Sequence, residues 1–188
     1  MTSAPEPDLP LPGEAAQTRA ARMVRVDHAG EVAAMRIYQG QLAVLKQQPQ
    51  ASTCIKLIEE MAGKEAAHLA AFDRMIVSRR VRPTLLGPLW DAASYSLGVA
   101  TALLGARAAM ACTAAVEEVI CEHYQKQIND LGTDDPELSG MIAQFRADEL
   151  AHREAALAYG AAQAPAYKPL SDIIKAGCRI AIKLSERI

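Results

Sequence analysis

Two short stretches decide the fold: Glu65-Ala-Ala-His68 and Glu149-Leu-Ala-His152. Each is Glu-x-x-His inside a long run with helical periodicity. Residues i and i+3 share one helical face, so carboxylate and imidazole can point at the same metal ion. One such motif is weak, because chance supplies it often. Two in a chain with 4 histidines are much stronger. They lie 84 positions apart.

A second repeat runs alongside. Glu31…Tyr38-Gln39-x-Gln41 matches Glu117…Tyr124-Gln125-x-Gln127, an offset of 86 positions. The chain therefore reads as a duplicated helix pair, with a glutamate on the first helix of each pair and Glu-x-x-His on the second. Four helices supplying two single glutamates and two Glu-x-x-His pairs make the ligand set of a carboxylate-bridged dinuclear site. Glu31, Glu65, His68, Glu117, Glu149 and His152 are the candidate metal ligands. Oxygen-rich donors with one imidazole per metal suit iron or manganese better than zinc or copper, and iron can activate dioxygen. The bland alternative is a set of solvated or core polar residues. It fits poorly at Glu117, which follows the apolar run Ala111-Cys-Thr-Ala-Ala-Val116, where a bare carboxylate is costly.

Around this core the helices can be bounded. The first runs from about Gln17 to Lys46. The second is expected from a Ser52 cap to Val81, where Arg82-Pro83 stops it. The fourth spans about Ala106 to Leu131. Asp134-Asp135-Pro136-Glu137 starts the fifth, which ends near Gly160. Pro165 and Pro169 bracket a linker, and Ser171 can cap a last helix to Ile188. Nothing alternates with period two for long, so the chain is all-α. Residues 1–15 read as a disordered tail without a signal-peptide core, and 16–188 as a single domain. The length of 188 residues and 51% apolar content suit one globular core, and the net charge of −2 gives no reason to expect nucleic acid. Four cysteines without CxxC spacing read as reduced thiols.

The stretch from Pro83 to Ala106 differs in kind. Asp91 is its one charge, followed by 15 uncharged residues. It is short for a spanning helix, and Trp90 and Tyr95 are aromatics suited to headgroup depth. It reads as a crossover helix lying in a membrane interface. The other reading is an apolar connector buried in the bundle or between copies.

The chain resembles a known family at Val26-Asp-His-Ala-Gly-Glu31, Arg36-Ile-Tyr38, Arg80-Val-Arg-Pro-Thr84, Ala115-Val-Glu-Glu118, His123-Tyr124 and Ala176-Gly-Cys-Arg179…Leu184-Ser-Glu-Arg187. These look like the demethoxyubiquinone hydroxylases, ferritin-like di-iron monooxygenases of ubiquinone synthesis. The resemblance covers about Arg22 to Ile188. It implies a four-helix bundle of duplicated pairs with a membrane-interfacial crossover helix and a C-terminal helix. It implies two Fe ions on the same six residues, a polyprenyl quinol and dioxygen as reactants, and contact with membrane lipid. It also implies a lipid-binding companion protein in some members. The location implied is the periphery of a bacterial inner membrane on its cytoplasmic face, with the mitochondrial matrix face as the alternative. Assembly into a homo-oligomer stays open. Glu118 should face away from Glu117. His28, on the face of Glu31, could bond it or pack locally. Tyr38 and Tyr124 could orient ligands or pass protons and electrons, or be plain core. The resemblance favours His123-Tyr124 near the redox path. A soluble ferroxidase or iron-storage bundle is the alternative function. It shares the ligands but does not account for the uncharged crossover.

Overall fold

The computed structural model describes residues 16–187, so the expected tail at 1–15 and the terminal Ile188 lie outside the described residues. Six helices follow one another: α1 (Ala16–Leu45), α2 (Ser52–Ser78), α3 (Gly87–Leu103), α4 (Ala106–Leu131), α5 (Pro136–Tyr159) and α6 (Tyr167–Ser185). Short 3-10 turns precede α2 and α6, and there is no strand among the described residues. The chain is all-α, as its periodicity requires.

The core-facing stripe of α2 is Cys54, Ile58, Met61, Glu65, His68, Phe72 and Met75; that of α5 is Leu138, Ile142, Phe145, Glu149, His152 and Ala156. Both alternate steps of four and three, the spacing that keeps one side of a helix against its neighbours. The Glu-x-x-His pairs occupy two consecutive positions of that stripe, so they point into the bundle by the same periodicity that buries Phe72 and Ile142. Helix α1 packs on α2 and α4 on α5, and contacts between α1 and α4 and between α2 and α5 join the two hairpins.

The fifth helix begins as expected: Asp135 accepts from the Leu138 amide at 3.1 Å, and Pro136 occupies the first turn. It ends at Gly160 in the left-handed conformation. Three boundaries differ from expectation. Ser52 lies within α2 and caps nothing; the flanking residue is Ala51. α2 stops at Ser78, three residues early, because Arg80 turns left-handed at φ 54°. α6 starts at Tyr167, so Ser171 is a buried helical residue and not a cap. Pro169 falls in the first turn of α6, where no amide partner is needed, so it does not delay the helix.

The crossover is helix α3, and it lies along α1. Glycines permit the approach. A Cβ on Gly98 would overlap the Ile37 carbonyl, and one on Gly40 would overlap that of Tyr95. Small residues that bring two backbones together are a familiar device between helices. Asp91, the lone charge, is paired with Arg36 of α1 at 2.7 Å, and Arg36 stacks over Tyr95. α6 lies on α4, held by Lys175–Glu118 at 2.5 Å and Arg179–Glu122 at 2.9 Å. Trp90 donates from α3 to Ser185 of α6 at 3.0 Å.

Candidate metal centre

The structure brings the six sequence-predicted ligands together. Donor atoms of Glu31, Glu65, His68 and Glu149 lie within 4.8 Å of one another, as do those of Glu65, Glu117, Glu149 and His152. Glu65 and Glu149 belong to both groups and so are placed to bridge. All six are buried. His68 Nδ1 lies 3.1 Å from Glu149 and 3.7 Å from Glu31. His152 Nδ1 lies 3.0 Å from both Glu65 and Glu149.

The electrostatics are those of a site built for cations. Burial, with the neighbouring Glu149 and Glu65, pushes Glu117 well above the usual carboxylate range. Burial raises Glu31 to about 7, partly offset by the nearby His68. Burial pulls both histidines down, but the surrounding carboxylates win and raise His68 to about 12 and His152 to about 9. Four carboxylates in one buried space need positive charge. Glu31 Oε2 and His68 Nδ1 make no aligned hydrogen bond among the described residues. Two divalent ions fit this donor set: mostly oxygen, one imidazole each, with carboxylates to bridge.

The tyrosines cross between repeats. Tyr38 donates to Glu117 at 2.8 Å and Tyr124 to Glu31 at 2.5 Å. Both are fully buried. Glu118 turns outward to Lys175 and Arg153 as expected. His28 bonds Asp73 at 3.0 Å rather than Glu31. His123 does not touch the carboxylates; it sits 3.2 Å from Asp27 and 2.9 Å from Gln127. Asp27 is buried, and burial raises its carboxyl while His123 and Gln127 offset part of the rise. The sequence reading missed Asp27. Its counterpart in the second repeat is Thr113, so comparing the repeats would have marked it. Asp148, also missed, contacts His68 Nε2 at 3.3 Å.

Three cavities meet near the centre. A small one of about 30 Å³ lies beside the carboxylates, lined by Asp27, Glu31, Glu65, Glu117 and Tyr124 among others. A larger apolar one of about 360 Å³ opens between α1, α3, α4 and α6 and includes Trp90, Leu97, Ile174 and Cys178. The two share Val26, Gly30, Ala34, Ile120 and Ile182 as walls. Leu97 thus lines the apolar cavity. A third cavity of about 240 Å³ is polar, lined by Arg19, Arg22, Lys126 and Asp130, with His123 at its inner end. His123 also borders the small cavity.

The model of a family described as ubiquinone biosynthesis protein COQ7 matches residues 18–185. The chain is 52% identical to a 3-demethoxyubiquinol 3-hydroxylase of Rhodospirillum rubrum over 167 residues, which covers 89% of this chain and 77% of that protein. It is 49% identical over 171 residues to the human NADPH-dependent 3-demethoxyubiquinone 3-hydroxylase, with 89% and 77% covered. Identity to the mitochondrial 5-demethoxyubiquinone hydroxylase of Saccharomyces cerevisiae is 40% over 183 residues, again covering 89% and 77%.

Proposed function

Because the chain belongs to the COQ7 family of ubiquinone biosynthesis proteins, we propose that it hydroxylates the ring of a polyprenylated demethoxyubiquinol, using two iron ions and dioxygen at a membrane surface. One observation carries the finer reading: the buried Glu/His cluster shares a wall with an apolar cavity. A ring at Ala34 and Ile120 would sit beside the carboxylates, with its isoprenoid tail running out between α3 and α6.

When bound, the irons supply the electrons and Lewis acidity that activate dioxygen. One oxygen atom enters the ring and the other leaves as water, at the expense of two electrons and two protons from a reductant. The human relative is named as NADPH-dependent; this chain has no Gly-rich dinucleotide fingerprint. The chain's own residues do the rest. Glu31, Glu65, His68, Glu117, Glu149 and His152 hold the metals. Tyr38 and Tyr124 hold Glu117 and Glu31 in orientation. The polar cavity, His123 and Asp27 offer protons a path from solvent to the edge of the site. Burial pushes the thiol of Cys178, in the apolar cavity, up to about 11, so it stays protonated and does not add to a quinone ring.

No helix among the described residues is long and apolar enough to cross a membrane. A peripheral contact fits the outer faces of α3 and α6. Leu89 and Leu103 of α3 are 57% and 69% exposed, and Ile173 and Ile180 of α6 are 72% and 57% exposed. Apolar side chains on helices flanking the cavity mouth, with Lys168 and Lys183 nearby, are the composition of an interfacial helix pair. The membrane is then the one named for the family resemblance, bacterial inner or mitochondrial inner.

The test is Ala34→Phe. It fills the passage between cavity and cluster while touching no ligand. Iron content should stay near two per chain while quinol hydroxylation falls by at least tenfold. Full activity in this variant would remove the apolar cavity from the substrate path. In cells lacking the protein, demethoxyubiquinone should accumulate; its absence would refute the substrate.

A further inference from the structure

The duplication is faithful in its ligands and broken beside them. Lys64 precedes Glu65, and its counterpart Asp148 precedes Glu149. The counterparts meet: Lys64 Nζ lies 2.7 Å from Asp148 Oδ1. The other oxygen of Asp148 lies 3.3 Å from His68 Nε2. An acceptor there fixes the Nε2–H tautomer of His68 and leaves the Nδ1 lone pair facing Glu31, Glu65 and Glu149. His152 also turns Nδ1 to the carboxylates. Its Nε2 is buried and has no hydrogen-bond partner among the described residues. The repeat relation puts Lys64 where an acceptor for His152 would stand, and an ammonium has only donors.

We propose that Asp148 is a positioning residue for His68, and that the Lys64/Asp148 asymmetry makes the metal position on His68 the tighter of the two. This rests on the two-metal reading above. A carboxylate behind a histidine fixes its ring and raises its basicity, and removing such a partner costs about 10–100-fold in metal affinity. Lys64 serves the same end by holding Asp148 in place.

The test is anaerobic titration of the metal-free full-length protein with Fe(II), with a Mössbauer spectrum of the product. Wild-type protein should take up two equivalents in two resolved steps. Asp148→Ala should weaken the first step by about 10–100-fold, leave the second in place, and change the quadrupole doublet of one iron only. Asp148→Asn keeps an acceptor oxygen opposite Nε2 and should recover most of the loss. Lys64→Met breaks the same ion pair but keeps the Asp148–His68 contact, so the first step should move by only a few-fold. That variant separates positioning from a merely structural role, since both substitutions remove the surface pair and only Asp148→Ala should weaken the tight step by about tenfold or more. Equal affinities in wild-type protein, or an Asp148→Ala variant in which both steps weaken alike or neither moves, would overturn the proposal. Wild-type protein that never takes up two equivalents would instead overturn the two-metal reading.

Discussion

The hydroxyl of Tyr38 on α1 donates to Oε1 of Glu117 on α4 at 2.8 Å. The bond spans the two repeats and stabilises a carboxylate whose charged form burial disfavours. Removing it with Tyr38→Phe leaves Glu117 a poorer anion. A hydrogen bond to a charged group contributes about 1.5–3 kcal/mol, so iron affinity measured against a chelator should fall by about ten- to a hundredfold. Glu118→Gln, one residue away but facing Lys175, should retain iron as the wild type does. Equal losses in both variants would contradict the assignment of Glu117 as the ligand of the pair.

Metal uptake should release protons and tighten as pH rises. In the metal-free chain His68 is raised to about 12 and His152 to about 9, from an ordinary 6.5. A raised histidine stabilises the fold fully below its unfolded value, and that stability is lost as pH climbs through its folded value. Glu31, raised from 4.5 to about 7, has the same sign, because its neutral form is the favoured one. The metal-free protein should therefore lose Tm as pH rises from 4.5 through about 7 for Glu31 and from 6.5 through about 9 for His152. Bound divalent ions replace these protons, so the loaded form should change less and the Tm gap should widen. Calorimetry of both forms across that range checks it; a constant gap would mean the ions do not displace these protons.

The α1–α3 crossing should tolerate no added carbon. At Gly98 the obstacle is the Ile37 backbone, which cannot swing away as a side chain would. Gly98→Ala should cost ~1–3 kcal/mol through overpacking. Gly63, also within a helix but with nothing near its missing Cβ, should gain ~0.5–1 kcal/mol as Gly63→Ala. Denaturant midpoints of the two variants should move in opposite directions.

Much of the centre was legible because its constraints are local. Glu65 and His68 sit one helical turn apart, and the stripe spacing of Phe72 and Met75 says which way they point. The repeat then supplied Glu31 and Glu117. What the sequence could not carry depends on how hairpins meet. Periodicity puts Tyr38 on the face of Glu31, but only the packing of α1 against α4 sends its hydroxyl to Glu117. Asp27 and Asp148 look like any helix-surface acids until His123 and His68 arrive from another helix. The nearly uncharged stretch from Pro83 to Ala106 does not say which of its residues face inward; the packing of α3 puts Leu97 on the cavity and Gly98 against Ile37. Ser171 looked like a cap because Pro169 reads as a break, although a first turn accepts proline.

Membrane contact should depend on α3 residues that point outward. Leu89→Glu with Leu103→Glu places two charges on exposed positions. Each charge buried in hydrocarbon costs ~2.5–3.5 kcal/mol, and less at a shallow interface where side chains snorkel. Liposome flotation should fall at least tenfold while iron content holds. Unchanged flotation would transfer the contact to α6 and its Ile173 and Ile180.

Glu65 and Glu149 each belong to both donor groups. Each metal position therefore takes three side chains from one hairpin and a single one from the other. Neither hairpin holds a complete set by itself, so the centre forms only after Glu65 and Glu149, 84 positions apart, have met, a slow long-range closure. With two ions bound, it would act as an internal cross-link that the sequence does not contain as a covalent bond. The hairpins could not part without surrendering the ions, and ligands that bind only the folded chain hold it folded. Separation of the two halves would then carry loss of metal with it, and the lifetime of the loaded protein should lengthen with the affinity of the ions.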